Sequence, residues 1–187
     1  MKKWLFLILL FPLICVAQTY RYLGVEDGLS NRRVYCIRKD KTGYMWFLTH
    51  EGIDRYNGKE FKRYKLMDGD AEVNSLLNLN WLYIDQEGVL WEIGKKGKVF
   101  RYDQIHDCFS LVYKLPMESF SEQPDPVTYA WLDQNKHIWL CNKDTIFLYN
   151  TDTKQVTHIK NDISEEITDI EQIDESHFFI GTEMGIN

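Results

Sequence analysis

Sustained helical periodicity is what this sequence lacks. After the first seventeen residues no stretch keeps apolar residues at a 3.6-residue period over three turns, which excludes a helical bundle and predicts almost no helix. Cysteine is sparse as well. Beyond the N-terminal segment only Cys36, Cys108 and Cys141 remain, an odd set without CxxC spacing. That excludes a disulfide framework and casts the three as small apolar residues within strands. His50, His106, His137, His158 and His177 stand singly, so no metal-ligand spacing exists and no metal or cofactor is expected. There is no GxSxG elbow, no HExxH and no P-loop. Lys and Arg number 22 against 28 Asp and Glu, a net charge of −6. Phosphate binding needs clustered cations, so the acidic balance argues against nucleic acid as a partner. The run Lys95-Lys96-Gly97-Lys98 reads as a solvated turn.

Long apolar runs are missing everywhere except at the start. Met1-Lys2-Lys3 precedes thirteen apolar residues, Trp4 to Val16, fewer than the roughly 20 that span a bilayer. With Cys15-Val16-Ala17 following the run, residues 1–17 read as a signal peptide cleaved before Gln18, and the chain is expected in the periplasm. Bulky Ile14 argues against lipidation of Cys15. Cleavage removes Lys2 and Lys3 and takes the charge from −6 to −8.

What the sequence has is self-similarity. Val34–Tyr64, Leu79–Val112 and Val127–Ile159 are three copies of one pattern, and Ile167–Asn187 begins a fourth. Asp40, Asp85 and Asp133 each stand six residues before Trp46, Trp91 and Trp139. Asp174 stands five before Phe179, which takes the Trp position. Tyr56, Tyr102 and Tyr149 follow their tryptophans by ten, eleven and ten residues. The step between tryptophans is 45, then 48, then 40 to Phe179.

Each copy reads as four strands. In the first, VYCIRK ends at a DKTG turn in which Asp40 caps through its side chain and Gly43 takes a positive φ. YMWFLT runs to the His50-Glu51-Gly52 turn, IDRYN closes on Asn57-Gly58 as a type I′ hairpin, and EFKRYK alternates in period two. Four-stranded antiparallel units of roughly 40–50 residues in tandem are the signature of a β-propeller. Such a sheet is apolar on both faces and must stack on its neighbours, so each repeat Trp is expected in the core between blades. The fold expectation is all-β: a partial propeller of three blades and the start of a fourth. Its units are a lead-in at 18–33, blade 1 at 34–78, blade 2 at 79–126, blade 3 at 127–166 and an incomplete blade 4 at 167–187.

The phrase EDGLSNRRVYCIRKDKTGYMWFLTHEGIDRYNGKEFKRY resembles the two-component regulator propeller repeat. The corresponding residues are Gly28-Leu29-Ser30, Val34, Ile37, Asp40, Gly43, Met45-Trp46, Gly52-Ile53 and Arg55-Tyr56, with Asn74-Ser75-Leu76-Leu77 as the lead into the second blade. The family's Gly-Thr pair after Trp becomes Leu48-Thr49, Ile93-Gly94 and Cys141-Asn142, and is kept only as Gly181-Thr182; Lys136 replaces the turn glycine of copy three. These departures bear on individual turns. The resemblance implies the N-terminal part of the periplasmic sensor region of a Bacteroides-type hybrid two-component system. In such systems two stacked propellers, a β-sandwich, one membrane helix and a histidine kinase follow one another, and glycan-derived oligosaccharides are sensed. The implied partners are the remaining blades and downstream domains of a longer, membrane-anchored sensor, an oligosaccharide, and a second copy as homodimer. The chain is expected to be a piece of that sensor, or else a short protein that closes its ring by association.

Function divides three ways. Catalysis would need a positioned pair such as Glu51 with Asp54, or Glu165 with Glu166, but these acids fall in turns, so the chain is expected not to be an enzyme. Binding would use Trp81 and Trp131, extra tryptophans on the first strands of copies two and three; their alternative role is packing between blades. The linkers Met67–Asn78 and Pro116–Pro126 could carry recognition or merely join blades. The third reading is an interaction or dimerisation module without a small ligand.

Overall fold

The computed structural model describes residues 20–73, 81–115, 127–143, 145–163 and 165–186. The expected signal peptide, the Asn74–Leu77 lead and the Pro116–Pro126 linker lie outside them. Among the described residues the helical content is one 3-10 turn, Val25–Asp27; everything else regular is strand.

Blade 1 is the antiparallel sheet β1 (Val34–Lys39), β2 (Met45–Thr49), β3 (Gly52–Tyr56) and β4 (Phe61–Tyr64), in that order. A short ribbon follows, β5 (Leu66–Asp68) and β6 (Ala71–Val73). Blade 2 comprises β7 (Trp81–Ile84), β8 (Leu90–Ile93), β9 (Lys98–Asp103) and β10 (Cys108–Lys114). Blade 3 comprises β11 (Tyr129–Leu132), β12 (His137–Cys141), β13 (Thr145–Asn150) and β14 (Val156–Lys160). Blade 4 contributes β15 (Ile167–Gln172), β16 (Phe178–Thr182) and β17 (Gly185–Ile186).

The ribbon is the departure from simple repetition. Residues 66–73, which the repeat numbers with blade 1, are hydrogen-bonded into blade 2. Leu66 and Met67 pair in parallel with Phe109 and Ser110, and the amide of Phe109 donates to the carbonyl of Lys65 at 3.0 Å. The sheet of blade 2 therefore has six strands, ordered β6-β5-β10-β9-β8-β7.

Three cores fill the seams between blades, and the repeat residues build them. Each blade has a leading face toward the next blade and a trailing face toward the previous one. Trp46, Trp91 and Trp139 lie buried on leading faces. Trp46 meets Tyr102 and Phe109 of blade 2 at 5.1 and 5.9 Å between ring centroids, both edge-on. Trp91 shares a core with Ile138, Leu140 and Tyr149 of blade 3, and Trp139 meets Phe178 of blade 4 at 4.8 Å. The repeat Tyr is thus the trailing-face receiver for the previous blade's Trp. Burying an indole of about 200 Å² at about 25 cal/mol/Å² contributes up to roughly 5 kcal/mol per seam.

The Asp of each copy does two jobs. Asp40 Oδ1 accepts from the amides of Thr42 and Tyr44 at 2.9 and 3.0 Å, capping the turn. Its Oδ2 accepts the indole N–H of Trp46 at 2.7 Å. Asp85 and Asp133 repeat this toward Trp91 and Trp139 at 2.8 and 2.9 Å. In blade 4 the Trp becomes Phe179, which has no N–H, and the Asp position is correspondingly held by Ile173, whose amide bonds the carbonyl of His177 at 2.9 Å. Asp174 is displaced by one residue and caps the amides of Ser176 and His177 instead.

The departures at turns keep their geometry by other means. Lys136 takes the left-handed conformation of the glycine it replaces, φ 64 against 96 at Gly43. Its ammonium reaches Glu87 of blade 2 at 2.5 Å and Asp152 at 3.0 Å. Asn142 stands at the Thr49 position and accepts the amide of Thr145 at 2.6 Å. One expectation fails: Asn57-Gly58 is not a type I′ turn, since Asn57 keeps a negative φ. Its Oδ1 instead accepts the amides of Lys59 and Glu60, both at 2.9 Å, because the loop has four residues between Tyr56 and Phe61, which pair. Asp103 and Asn150 do the same after Tyr102 and Tyr149.

Candidate functional site

The first strands of neighbouring blades lie side by side and define the inner edge of the arc. The thiol of Cys36 donates to the carbonyl of Leu82 at 3.6 Å. Tyr83 donates to the carbonyl of Ala130 at 2.7 Å, and Tyr129 to Asp169 Oδ1 at 2.9 Å. Burial raises the hydroxyl pKa of Tyr83 to about 12, because the anion would lose its hydration. Burial likewise raises that of Tyr129, with the Asp169 carboxylate adding to it. Both tyrosines are therefore neutral donors that tie one blade to the next.

Trp81 and Trp131 sit on these inner strands but at different repeat positions. Trp81 is opposite Ile93, where blade 3 has Tyr129 opposite Cys141. Trp131 is opposite Trp139, where blade 2 has Tyr83 opposite Trp91. Trp81 packs partly buried against the blade 2–3 core. Trp131 lies edge-on to Trp139 and Phe178 at 5.9 and 6.0 Å. The structure does not bring the two together on one surface; each occupies a seam.

The end of the arc that carries the Asp turns is latched from blade to blade. Lys41 donates to the carbonyl of Gln86, the amide of Gln134 to Gln172 Oε1 at 2.9 Å, and Asn135 Nδ2 to the carbonyl of Glu175 at 2.9 Å. Beside the first latch a cleft of about 370 Å³ opens between blades 1 and 2, with Tyr44, Trp46, Arg55 and Tyr102 as floor and Asp40 and Gln104 at its rim. Arg55 stacks over Tyr44, Trp46 and Tyr64 at 4.5, 5.4 and 5.1 Å. Those rings are already covered by a guanidinium, so what a ligand meets there is the polar rim. At the outer margin of the same seam Asp107 accepts from Tyr102 at 2.6 Å and from Lys62. Burial works against its charge, but the bonds from Lys62 and Tyr102 outweigh it and hold the carboxyl at about 2. At the other end, Thr128, Asn142, Lys143, Asn161, Glu165 and Glu166 line a cleft of about 250 Å³ between blades 3 and 4.

The acid pair Glu51 and Asp54 is split by the fold. Glu51 lies in the β2–β3 turn, 3.8 Å from Arg63. Asp54 is fully buried on the trailing face of blade 1. Its Oδ2 accepts the amide of Ser30 at 2.9 Å and the Ser30 hydroxyl at 2.6 Å. Burial raises its pKa, with the Ser30 bonds opposing the shift. This is how the Gly28-Leu29-Ser30 lead is held: Leu29 is buried and Ser30 is bonded to blade 1. The three cysteines are free thiols, with Cys141 buried and its pKa pushed up to about 12 by desolvation. Among the described residues no group of His, Cys, Asp and Glu could hold a metal ion, and no helix is long and apolar enough to cross a membrane.

Comparison with known proteins bears on this arrangement. Residues 28–51, the lead and first hairpin of blade 1, match the family described as two component regulator propeller. None of the curated proteins matches the chain. Among solved structures, the extracellular domain of the hybrid two component system BT3049 from B. thetaiotaomicron is 24% identical, with a TM-score of 0.67 over 89% of this chain and 26% of that one. That of BT4673 from the same organism is 20% identical, with a TM-score of 0.68 over 91% of this chain and 23% of that one. The chain thus spans about a quarter of the length of those domains. Virginiamycin B lyase from Staphylococcus aureus, 15% identical, has a TM-score of 0.61 over 86% of this chain and 56% of its own. A fold shared by sensor domains and a lyase does not choose between binding and chemistry. Residues 28–51 are similar to the two component regulator propeller family, and the chain has the all-β propeller fold of these extracellular domains.

Proposed function

We propose that this chain is part of the extracytoplasmic sensor region of a hybrid two component system and helps recognise a glycan-derived oligosaccharide. The observation that carries the reading is the family match at residues 28–51, which falls on the lead that Ser30 and Leu29 fasten to blade 1. In this reading residues 1–17 are removed on export. Residues 18–33 lead into units at 34–78, 79–126, 127–166 and 167–187, and further blades, a membrane anchor and a kinase complete the protein. The chain's own part is non-enzymatic. Clefts with a polar rim, such as that bounded by Asp40 and Gln104, suit hydroxyl-rich ligands through directional hydrogen bonds.

Titration calorimetry of the exported chain against a panel of oligosaccharides from plant and host glycans tests it. Saturable heat with one glycan class is the expected result; no heat with any of them overturns oligosaccharide recognition by this chain. The second reading, an exported interaction module without a small ligand, is favoured by Trp81 and Trp131 being engaged in seams, and it would then stand.

A further inference from the structure

The cleft beside the first latch continues onto blade 2. A second cleft, of about 440 Å³, shares Glu87, Gly88, Tyr102 and Gln104 with it, so the two form one groove whose walls belong to blades 1 and 2. Arg55 lines the first part and Arg101 the second. They hold the same repeat position, opposite Trp46 and Trp91 and one residue before the repeat Tyr. In blade 3 that position is Leu148, so the pair of cations belongs to this groove.

The acids along the groove already have their donors. Asp40 accepts from the Trp46 indole and the turn amides, Glu87 pairs with Lys136, and Asp103 accepts from His106 and the amide of Ile105. Lys41 is engaged by the carbonyl of Gln86. The two guanidiniums are the exception. Arg21 and Arg63 have Asp27 and Glu51 beside them, but among the described residues no carboxylate pairs with Arg55 or Arg101, and no oxygen accepts from their guanidinium N–H groups.

Arg55 is half-buried and stacked over Tyr44, Trp46 and Tyr64. Stacking engages the faces of a guanidinium and leaves the N–H fork along its edge. The rings also fix the side chain before a ligand arrives, which lowers the entropic cost of binding. A partly desolvated cation without an anion is an incomplete pair, and its planar fork matches a carboxylate through two parallel hydrogen bonds.

We propose that this groove takes a uronate-containing oligosaccharide, with one carboxylate on Arg55 and the sugar chain running past Tyr102 and Gln104 to Arg101. Exposed Ile105 beside Arg101 offers an apolar surface to the C–H face of a sugar ring. The chain's net charge of −6 opposes an anion at long range. At physiological salt such fields decay over about 8 Å, so the nearby guanidiniums decide. This inference rests on the sensing reading and narrows its ligand to acidic glycans.

Titration calorimetry of the exported chain with galacturonate oligomers and hyaluronan oligosaccharides tests it, set against the same oligomers with their carboxyls reduced to alcohols. Saturable binding of one acidic series is expected, with its reduced form at least about thirtyfold weaker. Arg101→Gln, at an exposed position, and Arg55→Lys, which keeps the charge but not the fork, should each raise the dissociation constant about tenfold. Circular dichroism checks folding, and if R55K does not fold, R101Q carries the test. Equal affinity for the reduced oligomers, or folded variants that bind as well as the parent, overturns the proposal. Heat with a neutral glycan and none with either acidic series overturns this inference alone; no heat with any glycan overturns the sensing reading as well.

Discussion

Replacing Asp40 by Asn tests the claim that one carboxylate holds both the turn and the Trp. The two side chains have the same shape, but the carboxylate accepts on both oxygens. Oδ1 takes the amides of Thr42 and Tyr44, and Oδ2 takes the indole of Trp46. An amide has one oxygen, so in either orientation its NH2 faces a donor. A hydrogen bond to a charged group contributes about 1.5–3 kcal/mol. Asp40 is partly solvated, and screening favours the lower end, about 1.5 kcal/mol, for the bond to the indole. Leaving the buried Trp46 N–H without an acceptor adds about 1 kcal/mol more, so Asp40→Asn should cost about 2–3 kcal/mol in urea unfolding. The pH dependence has a definite sign. Burial works to raise the Asp40 pKa, but the bonds from Thr42, Trp46 and Tyr44 outweigh it, and the pKa lies below 3.8. Its stabilisation is therefore present above about pH 4 and is lost as the pH falls through the folded-state value. The Asn variant should lack that loss. A double-mutant cycle with Trp46→Phe should show coupling of about 1.5 kcal/mol; additive effects, or an Asn variant within about 0.5 kcal/mol of the parent, would refute the argument.

Three further outcomes follow from the same geometry. Asp54 has the opposite linkage: its pKa is raised by burial, so its favourable contribution belongs to low pH and is lost as the pH rises through the raised value. Asp54→Asn, keeping the Ser30 contact, should be neutral or stabilising near pH 7 and should flatten that slope in chemical unfolding monitored against pH. Trp131→Ala should destabilise the blade 3–4 seam by about 2–4 kcal/mol, below a fully buried Trp because the ring is only half covered. If oligosaccharide heats exist, they should survive this change under conditions where the protein stays folded. Leu66→Ala should cost about 2–4 kcal/mol by thermal melting, since Leu66 is 2% exposed in the core between blades 1 and 2.

Much of the architecture was legible because a tandem repeat states each feature several times. The phase of Asp, Trp and Tyr located the strands, and the period indicated blades. The same phase contained more than was read from it. An Asp six residues before a Trp across a tight turn is within side-chain reach, and the shift to Ile173 where Phe179 lacks the N–H is the signal that the two are bonded. The Asx after each repeat Tyr, Asn57, Asp103 and Asn150, was visible too, but at Asn57 the following Gly suggested a different turn. Trp81 and Trp131 looked equivalent on their strands, and only strand register separates their positions. The ribbon was not legible. Its pairing partners, Phe109 and Ser110, lie far along the chain, and residues 66–73 have no counterpart in the other copies to compare.

That ribbon gives the joints of the arc unequal strength. A stacked array opens at its weakest nearest-neighbour coupling, and the three seams share the Trp-to-next-blade contact. Among the described residues a paired strand crosses over between blades 1 and 2, carrying Leu66 into the outer edge of the following sheet, whereas blades 2 and 3 share a backbone bond from the Val127 amide to the Lys95 carbonyl at 2.8 Å. Parting blades 1 and 2 requires peeling a parallel strand pair as well as separating side chains. Under load or on heating, blades 1 and 2 should come away as a single block, with the first gap at one of the two later seams. Native-state hydrogen exchange would show this as β5 and β10 amides protected to one common free energy, above that of β15 and β16.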